Sequence, residues 1–110
     1  SNILIQNAKT MKILALEKDI EGVDWTTAKT LLEDEAREVY QYYLKGFIRE
    51  IYFTENKNAV IILECESKNQ ALGLLKTLPL VQKKFTRFEI LELRPYTGWA
   101  RLMQENVKND

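Results

Sequence analysis

The chain has 110 residues, of which 45% are hydrophobic and 29% charged, and its 16 basic and 16 acidic side chains cancel. This length suits a single hydrophobic core. The balanced charge argues against nucleic acid as a partner, because no long-range positive field would draw the protein onto phosphates. No apolar run is long enough to span a membrane, and residues 1–10 lack a secretory-signal pattern. We therefore expect a cytoplasmic protein with neither a membrane nor nucleic acid as a partner.

The residue types that are missing restrict the possible chemistry. The chain contains no histidine and a single cysteine, Cys65. Without histidine, it has no His-ligated haem, no histidine-containing zinc site and no Ser-His or Cys-His nucleophile of its own. Cys65 cannot form an internal disulfide, and its apolar neighbours favour packing over reactivity. We expect no metal and no cofactor, so any chemistry uses carboxylates, tyrosine, lysine or arginine.

The chain divides into three segments. Residues 1–10 precede the first patterned stretch and are expected to be an N-terminal extension or a non-native remnant. Residues 11–102 are expected to form one domain, and residues 103–110 a polar C-terminal tail.

Within the domain, short alternating or β-branched stretches predict four strands, at 11–18, 47–54, 59–66 and 85–94. Apolar residues at three- and four-residue steps predict a helix from Ala28 to Lys45, with Gly46 as its C-terminal cap. A capping-box serine, Ser67, predicts the start of a second, shorter helix that Pro79 stops.

The element order is βαββαβ, which predicts an α+β ferredoxin-like fold: an antiparallel four-stranded sheet with two helices on one face. The second strand carries apolar side chains at both parities, such as Tyr52 against Ile51 and Phe53. A sheet face in water would hold fewer of them. We therefore expect a second copy of the chain to cover that face, giving a dimeric α+β barrel as a homodimer or a higher homo-oligomer.

The region between Gly46 and Pro95 resembles the muconolactone isomerase family of dimeric α+β barrels. Three features carry the resemblance. The first is a Gly-x-x-Arg at the second strand, formed by Gly46 and Arg49. The second is the start of the second helix, with Ser67, Ala71 and Leu72, and the third is the Leu-Pro-Leu of Leu78, Pro79 and Leu80 at a family-like distance before Pro95. The resemblance implies a cofactor-free enzyme that moves a proton within a small lactone. Where the family carries histidines, this chain has Glu50 and Arg94.

The predicted hairpin suggests a pair of catalytic residues. A two-residue turn at Asn56 and Lys57 would place Arg49 directly opposite Glu64 on a mostly apolar face. Glu64 would then move a proton while Arg49 holds a carboxylate of the ligand. The favoured alternative is a cross-strand ion pair at the oligomer interface, because such pairs perturb carboxylates without any activity.

Four further residues are candidates for ligand binding. Glu50 and Tyr52 would replace the first pair if the hairpin had another register, because a shift of one residue exchanges the faces of the sheet. Arg94 lies beside the late proline, and Trp99 is expected either to cover a pocket mouth or to tie one subunit to the next. The acidic stretch 33–38 on the first helix is expected to be a solvated face.

The leading hypothesis is a cofactor-independent, isomerase-like enzyme or ligand-binding protein that performs acid–base chemistry on a small lactone or carboxylate. The alternative is a non-catalytic oligomeric module for ligand sensing or assembly, and a cofactor-free oxygenase rests on analogy alone. A polar-rimmed cavity containing Glu64 would favour the enzyme, whereas a packed interior would favour the module.

Overall fold

The computed structural model describes residues 9–103, so most of the predicted extension and nearly all of the predicted tail lie outside the described residues. The strands are β1 (Met11–Asp19), β2 (Ile48–Phe53), β3 (Ala59–Cys65) and β4 (Thr86–Leu93), and the helices are α1 (Lys29–Leu44), α2 (Lys68–Lys76) and α3 (Pro79–Gln82). A 3-10 turn at Trp25–Thr27 precedes α1, and a further helical segment begins at residue 100. No helix within residues 9–103 is long and apolar enough to cross a membrane.

The four strands form one antiparallel sheet in the order β2-β3-β1-β4. The predicted α+β class and the four-stranded antiparallel sheet are confirmed, and the arrangement is compatible with a ferredoxin-like fold. Helices α1 and α2 contribute Tyr42, Ala71 and Leu75 to a core cluster with Ile13 and Leu63 of the central strands. Both helices therefore cover the same face of the sheet, which we call the helix face.

The core is built by alternation along the two central strands. Every second residue of β3 is buried, from Ala59 to Cys65, and these side chains point to the helix face because successive strand residues face opposite ways. Cys65 is 1% exposed, so the prediction that it packs as a small hydrophobe is confirmed. Burial also raises the pKa of its thiol, which further disfavours the reactive thiolate.

Both helices end close to the predicted positions, with one correction. Gly46 has a φ of 87° just after α1, as expected of a glycine that ends a helix. The side chain of Ser67 accepts a hydrogen bond from the Gln70 amide at 3.0 Å and starts α2. Pro79 does not simply stop this helix: α2 ends at Lys76, and Pro79 is the first residue of α3. Proline suits that position because no helical hydrogen bond is needed from its nitrogen.

The β2–β3 hairpin differs from the predicted two-residue turn. The Thr54 amide donates to the Asn58 carbonyl at 2.8 Å, which leaves a three-residue loop at 55–57. The loop closes because Lys57 adopts a left-handed conformation with a φ of 66°. Glu50 therefore pairs with Ile62, and a β-bulge lies between Ile48 and Glu50. The predicted register was wrong, because one extra loop residue shifts every pair along the hairpin.

The sheet face opposite the helices, here called the open face, carries a patch of apolar side chains. Its members lie on the three neighbouring strands β3, β1 and β4 and are Leu14, Leu16, Val60, Ile62, Leu91 and Leu93. Leu91 is 53% exposed. We expect this face to carry more apolar side chains than a sheet surface in contact with water usually does. The placement of these residues agrees with that expectation.

Candidate active site

A groove with a cavity volume of about 1020 Å³ lies between helix α1 and strand β2. Its strand side is formed by residues of β1 and β2 and by Leu80 of α3, and its helix side by one stripe of α1. The lining is mostly apolar or aromatic, with a few charged groups among these side chains. Such a combination is typical of a site that binds a small molecule.

The apolar stripe of α1 is only partly buried, because Val39 packs against the core while most of the stripe stays exposed. Leu32, Ala36, Val39 and Tyr43 recur at helical spacing and line the groove. Leu32 remains 45% exposed and Tyr43 53% exposed, and Tyr42 is the one buried residue of this helix. An amphipathic helix normally buries such a stripe against its own core. Here the stripe faces a space that a ligand can fill.

Glu17 of β1 lies at the floor of the groove. It shares the parity of Ile13 and Ala15, which points it to the helix face, and only 9% of its surface is exposed. Its Oε1 accepts a hydrogen bond from the buried Ala59 amide at 2.9 Å. The hydroxyl of Thr86 lies beside the carboxylate but outside hydrogen-bonding geometry, so Ala59 supplies the one hydrogen bond that Glu17 accepts within residues 9–103.

Glu35 approaches the same groove from helix α1. Its Oε1 accepts a hydrogen bond of 2.9 Å from the Leu80 amide. Leu78, the residue that precedes α3, has no side-chain acceptor for this amide, so Glu35 satisfies one of the unpaired donors at the start of that helix. As in Glu17, one carboxylate oxygen is held by the backbone and the other is left for a ligand or water.

The surroundings raise the pKa values of both carboxyl groups. Burial raises the pKa of Glu17 against the opposing effect of the Ala59 hydrogen bond, and the charge of Asp19 raises it further. Burial likewise raises the pKa of Glu35, and the charges of Glu17 and Glu38 add to the effect. Within residues 9–103, no ion pair involves Glu17 or Glu35. Two interacting carboxyls with raised pKa values inside a groove are candidates for acid–base catalysis.

The structure does not bring the predicted catalytic pair together. Glu64 pairs with Lys12 of β1, whose Nζ lies 2.9 Å from Oε1, and Thr10 donates to Oε2 at 2.7 Å. These two hydrogen bonds hold the pKa of Glu64 below its ordinary value, and the charge of Arg49 is the smallest contribution. Arg49 lies at the β-bulge and lines the groove, whereas Glu64 does not. The predicted pairing was therefore wrong.

Glu50 and Tyr52, the predicted alternatives, both line the groove. The Tyr52 hydroxyl donates to Glu50 Oε1 at 2.8 Å, and this bond raises the pKa of the tyrosine. Both side chains are exposed on the edge strand, so the structure places them at the rim.

Arg94 and Trp99 lie away from the groove. The Arg94 guanidinium is 3.3 Å from a Glu92 carboxylate oxygen, and its side chain is 80% exposed. Trp99 packs edge-on against Tyr96, with ring centroids 4.7 Å apart. Neither residue lines the groove between α1 and β2, and Arg94 lines a separate cavity of about 640 Å³, so their part in ligand binding stays a prediction.

Sequence reasoning missed Glu17 and Glu35, although the sequence contains a signal for each. Glu17 continues the alternating set of Ile13 and Ala15, so a charged residue occupies a buried parity. Glu35 belongs to the acidic stretch for which a solvated face is expected. It lies three residues after Leu32, which puts it on the apolar stripe of α1. A charged residue within an apolar pattern is the feature that identifies both.

Comparison with known proteins assigns no family to the chain. No protein-family model matches it, and no curated protein matches it. The resemblance to the muconolactone isomerase family therefore stays a prediction, based on the motifs between Gly46 and Pro95.

Proposed function

We propose that this chain is a cofactor-independent, isomerase-like enzyme that transfers a proton within a small, largely apolar molecule bound in the groove. The observation that carries the proposal is the presence of two shielded carboxyl groups, Glu17 and Glu35, in one cavity of about 1020 Å³. Two carboxyl groups with raised pKa values in one cavity are suited to act as a base and an acid. The reaction needs neither histidine nor a metal.

Glu17 is the proposed base. Its carboxylate takes a proton from a carbon of the substrate, so that a C–H bond breaks and an O–H bond forms on Glu17. The electron pair left on the substrate is delocalised into an adjacent carbonyl or double bond, and the proton then returns to a different carbon. Glu35, when protonated, donates a hydrogen bond to the oxygen on which charge develops. The reaction is balanced without an oxidant or a second substrate.

The working form is proposed to be a homodimer or a higher homo-oligomer. The open face presents six apolar side chains to water, and a second copy offers the same patch for sheet-on-sheet packing about 10 Å apart. The subunits would then form the dimeric α+β barrel that the sequence resembles. Glu17, Glu35 and the α1 stripe lie on the helix face, whereas the rim residues Glu50 and Tyr52 pair with Ile62 and Val60 of the open face and would border the second copy.

A non-catalytic ligand-sensing or assembly module is the second candidate. The observation in its favour is that Glu17 and Glu35 each accept a hydrogen bond from a backbone amide. Both side chains therefore have a structural role that requires no reaction.

Hydrogen–deuterium exchange at carbon separates the two candidates even when the product is unidentified. Small lactones and unsaturated ketones are incubated with the protein in D₂O, and proton NMR follows deuterium uptake. The enzyme predicts uptake by at least one compound, and Glu17→Gln should lower its rate about 10²- to 10⁴-fold. Gln keeps an acceptor for the Ala59 amide, so the fold should be preserved.

Glu33→Gln is the matched control, because Glu33 lies on the same helix as Glu35, is half exposed and does not line the groove. Glu33→Gln should catalyse deuterium uptake at the wild-type rate. Uptake by no compound, or equal rates for wild type and Glu17→Gln, would contradict the proposed reaction and favour the module.

A further inference from the structure

We infer that the groove recognises a small apolar molecule that carries a protonated amine, with Glu17 and Glu35 as the groups that receive the positive charge. The inference rests on the proposed function in that it uses the same groove. It concerns the charge of the ligand: an ammonium paired with Glu17 and Glu35 would occupy the two carboxyls that the reaction uses, so such a ligand is bound and not isomerised. A carboxylate ligand, which the predicted Arg49–Glu64 pair would have held, is the competing class.

Glu17 shows why a cation fits the floor of the groove. The side chain is more than nine-tenths buried and lines the cavity, and its second oxygen lacks a hydrogen-bond donor within residues 9–103. Burial desolvates the carboxylate in part, and no ion pair within residues 9–103 supplies it with a cation. A ligand ammonium would supply both a hydrogen-bond donor and the missing counter-charge, and such charge-assisted hydrogen bonds are the stronger kind.

The balance of charge around the groove points the same way. Its lining holds four carboxylates, Glu17, Asp19, Glu35 and Glu50, against two cations, Arg49 and Lys57. Both cations belong to the exposed residues of the hairpin, and neither forms an ion pair with the carboxylates at the floor. An anionic ligand would meet an excess of like charge, whereas a cation is complementary.

The aromatic residues of the lining add a second attraction for a cation. Trp25, Tyr40, Tyr43 and Tyr52 all line the groove. Trp25 is held in place by an edge-on contact with Phe85, with ring centroids 5.1 Å apart. Aromatic faces attract ammonium groups through the ring quadrupole, and apolar ligand atoms pack against the same rings. A hydrophobic amine therefore offers an ammonium group to the carboxylates of Glu17 and Glu35 and apolar atoms to the aromatic side chains of the lining.

Three probes with one apolar body test the inference: 3-phenylpropylamine, 3-phenylpropan-1-ol and 3-phenylpropionate. Each is titrated into ¹⁵N-labelled protein at about pH 8, where the alkylamine is still protonated, and amide shifts give both the affinity and the location. We expect the amine to bind about tenfold or more tightly than the propionate, with the alcohol between them. The largest shifts should fall on residues of β1, α1 and β2 around the groove.

Variants then assign the preference to the two carboxylates. Glu17→Gln and Glu35→Gln should each reduce the preference for the amine over the alcohol severalfold, whereas the surface variant Glu33→Gln should keep it. Both glutamine side chains retain an acceptor for the Ala59 or Leu80 amide, and the amide spectrum itself reports whether the fold is intact.

Three results would overturn the inference: tighter binding of the propionate, an amine preference unchanged in both groove variants, or no shift at the groove with any probe. None of them bears on deuterium exchange into other compounds, so the failure of the ligand class and the failure of the proposed reaction are distinguishable.

Discussion

Replacing Glu17 by alanine and by glutamine separates its hydrogen bond from its charge. Both variants lack the carboxylate, but only Glu17→Gln keeps an acceptor for the buried Ala59 amide, which bonds to Glu17 at 2.9 Å. A buried amide without a partner costs about 1–3 kcal/mol. Glu17→Ala should therefore be less stable than Glu17→Gln by about that amount, or by about 4–8 °C in Tm for each kcal/mol in a domain near this size.

The charge of Glu17 has the opposite effect on stability. Burial raises the pKa of Glu17 in the folded protein above its ordinary value. A raised carboxyl pKa contributes stability that is complete below the unfolded pKa and is lost as the pH rises through the folded pKa. Wild type should therefore lose stability relative to Glu17→Gln as the pH rises above the ordinary glutamate pKa of 4.5 and through the raised pKa of the folded protein.

Urea denaturation followed by circular dichroism measures all three proteins across this pH range. The protein concentration is held constant, because dissociation of an oligomer would shift the apparent stability. Equal stability of Glu17→Ala and Glu17→Gln would refute the role of the Ala59 hydrogen bond. A wild-type stability that rises relative to Glu17→Gln with pH would refute the raised pKa.

Two further predictions concern the open face and the ion pair at its end. Light scattering of the wild type should return a mass above the 12.9 kDa of one chain. Leu91→Arg should lower this mass, because Leu91 is 53% exposed in the apolar patch and a charge there would disfavour contact with a second copy. A wild-type mass equal to that of one chain would contradict the proposed oligomer. Glu64→Gln should reduce the free energy of unfolding by less than about 1 kcal/mol, because its partner Lys12 is half exposed. A loss several times larger in urea denaturation would contradict this weak contribution of the ion pair to stability.

The order of the elements was predictable because local patterns specify it. Alternation in β1 and β3, the glycine after α1 and the serine before α2 each act within a few residues of chain. The hairpin register was not predictable in this way, because it depends on a left-handed conformation at Lys57. Most residues other than glycine adopt that conformation only rarely. The extra loop residue and the β-bulge move Arg49 out of register with Glu64, and the separate pairing of β1 with β3 places Lys12 beside Glu64.

The candidate site was less predictable than the fold. Glu17 and Glu35 are distant in sequence, and only the packing of α1 against β2 and α3 places them in one groove. Their partners, the amides of Ala59 and Leu80, are backbone groups that leave no trace in the sequence. The sequence could show a charge at a buried parity, but whether that charge faces a core, an interface or a cavity depends on tertiary structure.

The central claim is that the carboxyl groups of Glu17 and Glu35 form one electrostatically coupled site. The most direct test follows the titration of both side-chain carboxyls by ¹³C NMR in the wild type, and that of Glu35 in Glu17→Gln. We expect both pKa values to lie above the ordinary glutamate value of 4.5, because both groups are shielded from water. In Glu17→Gln, the pKa of Glu35 should fall, because the charge that raises it has been removed. Ordinary pKa values for both groups, or a Glu35 pKa that does not respond to the substitution, would contradict the account.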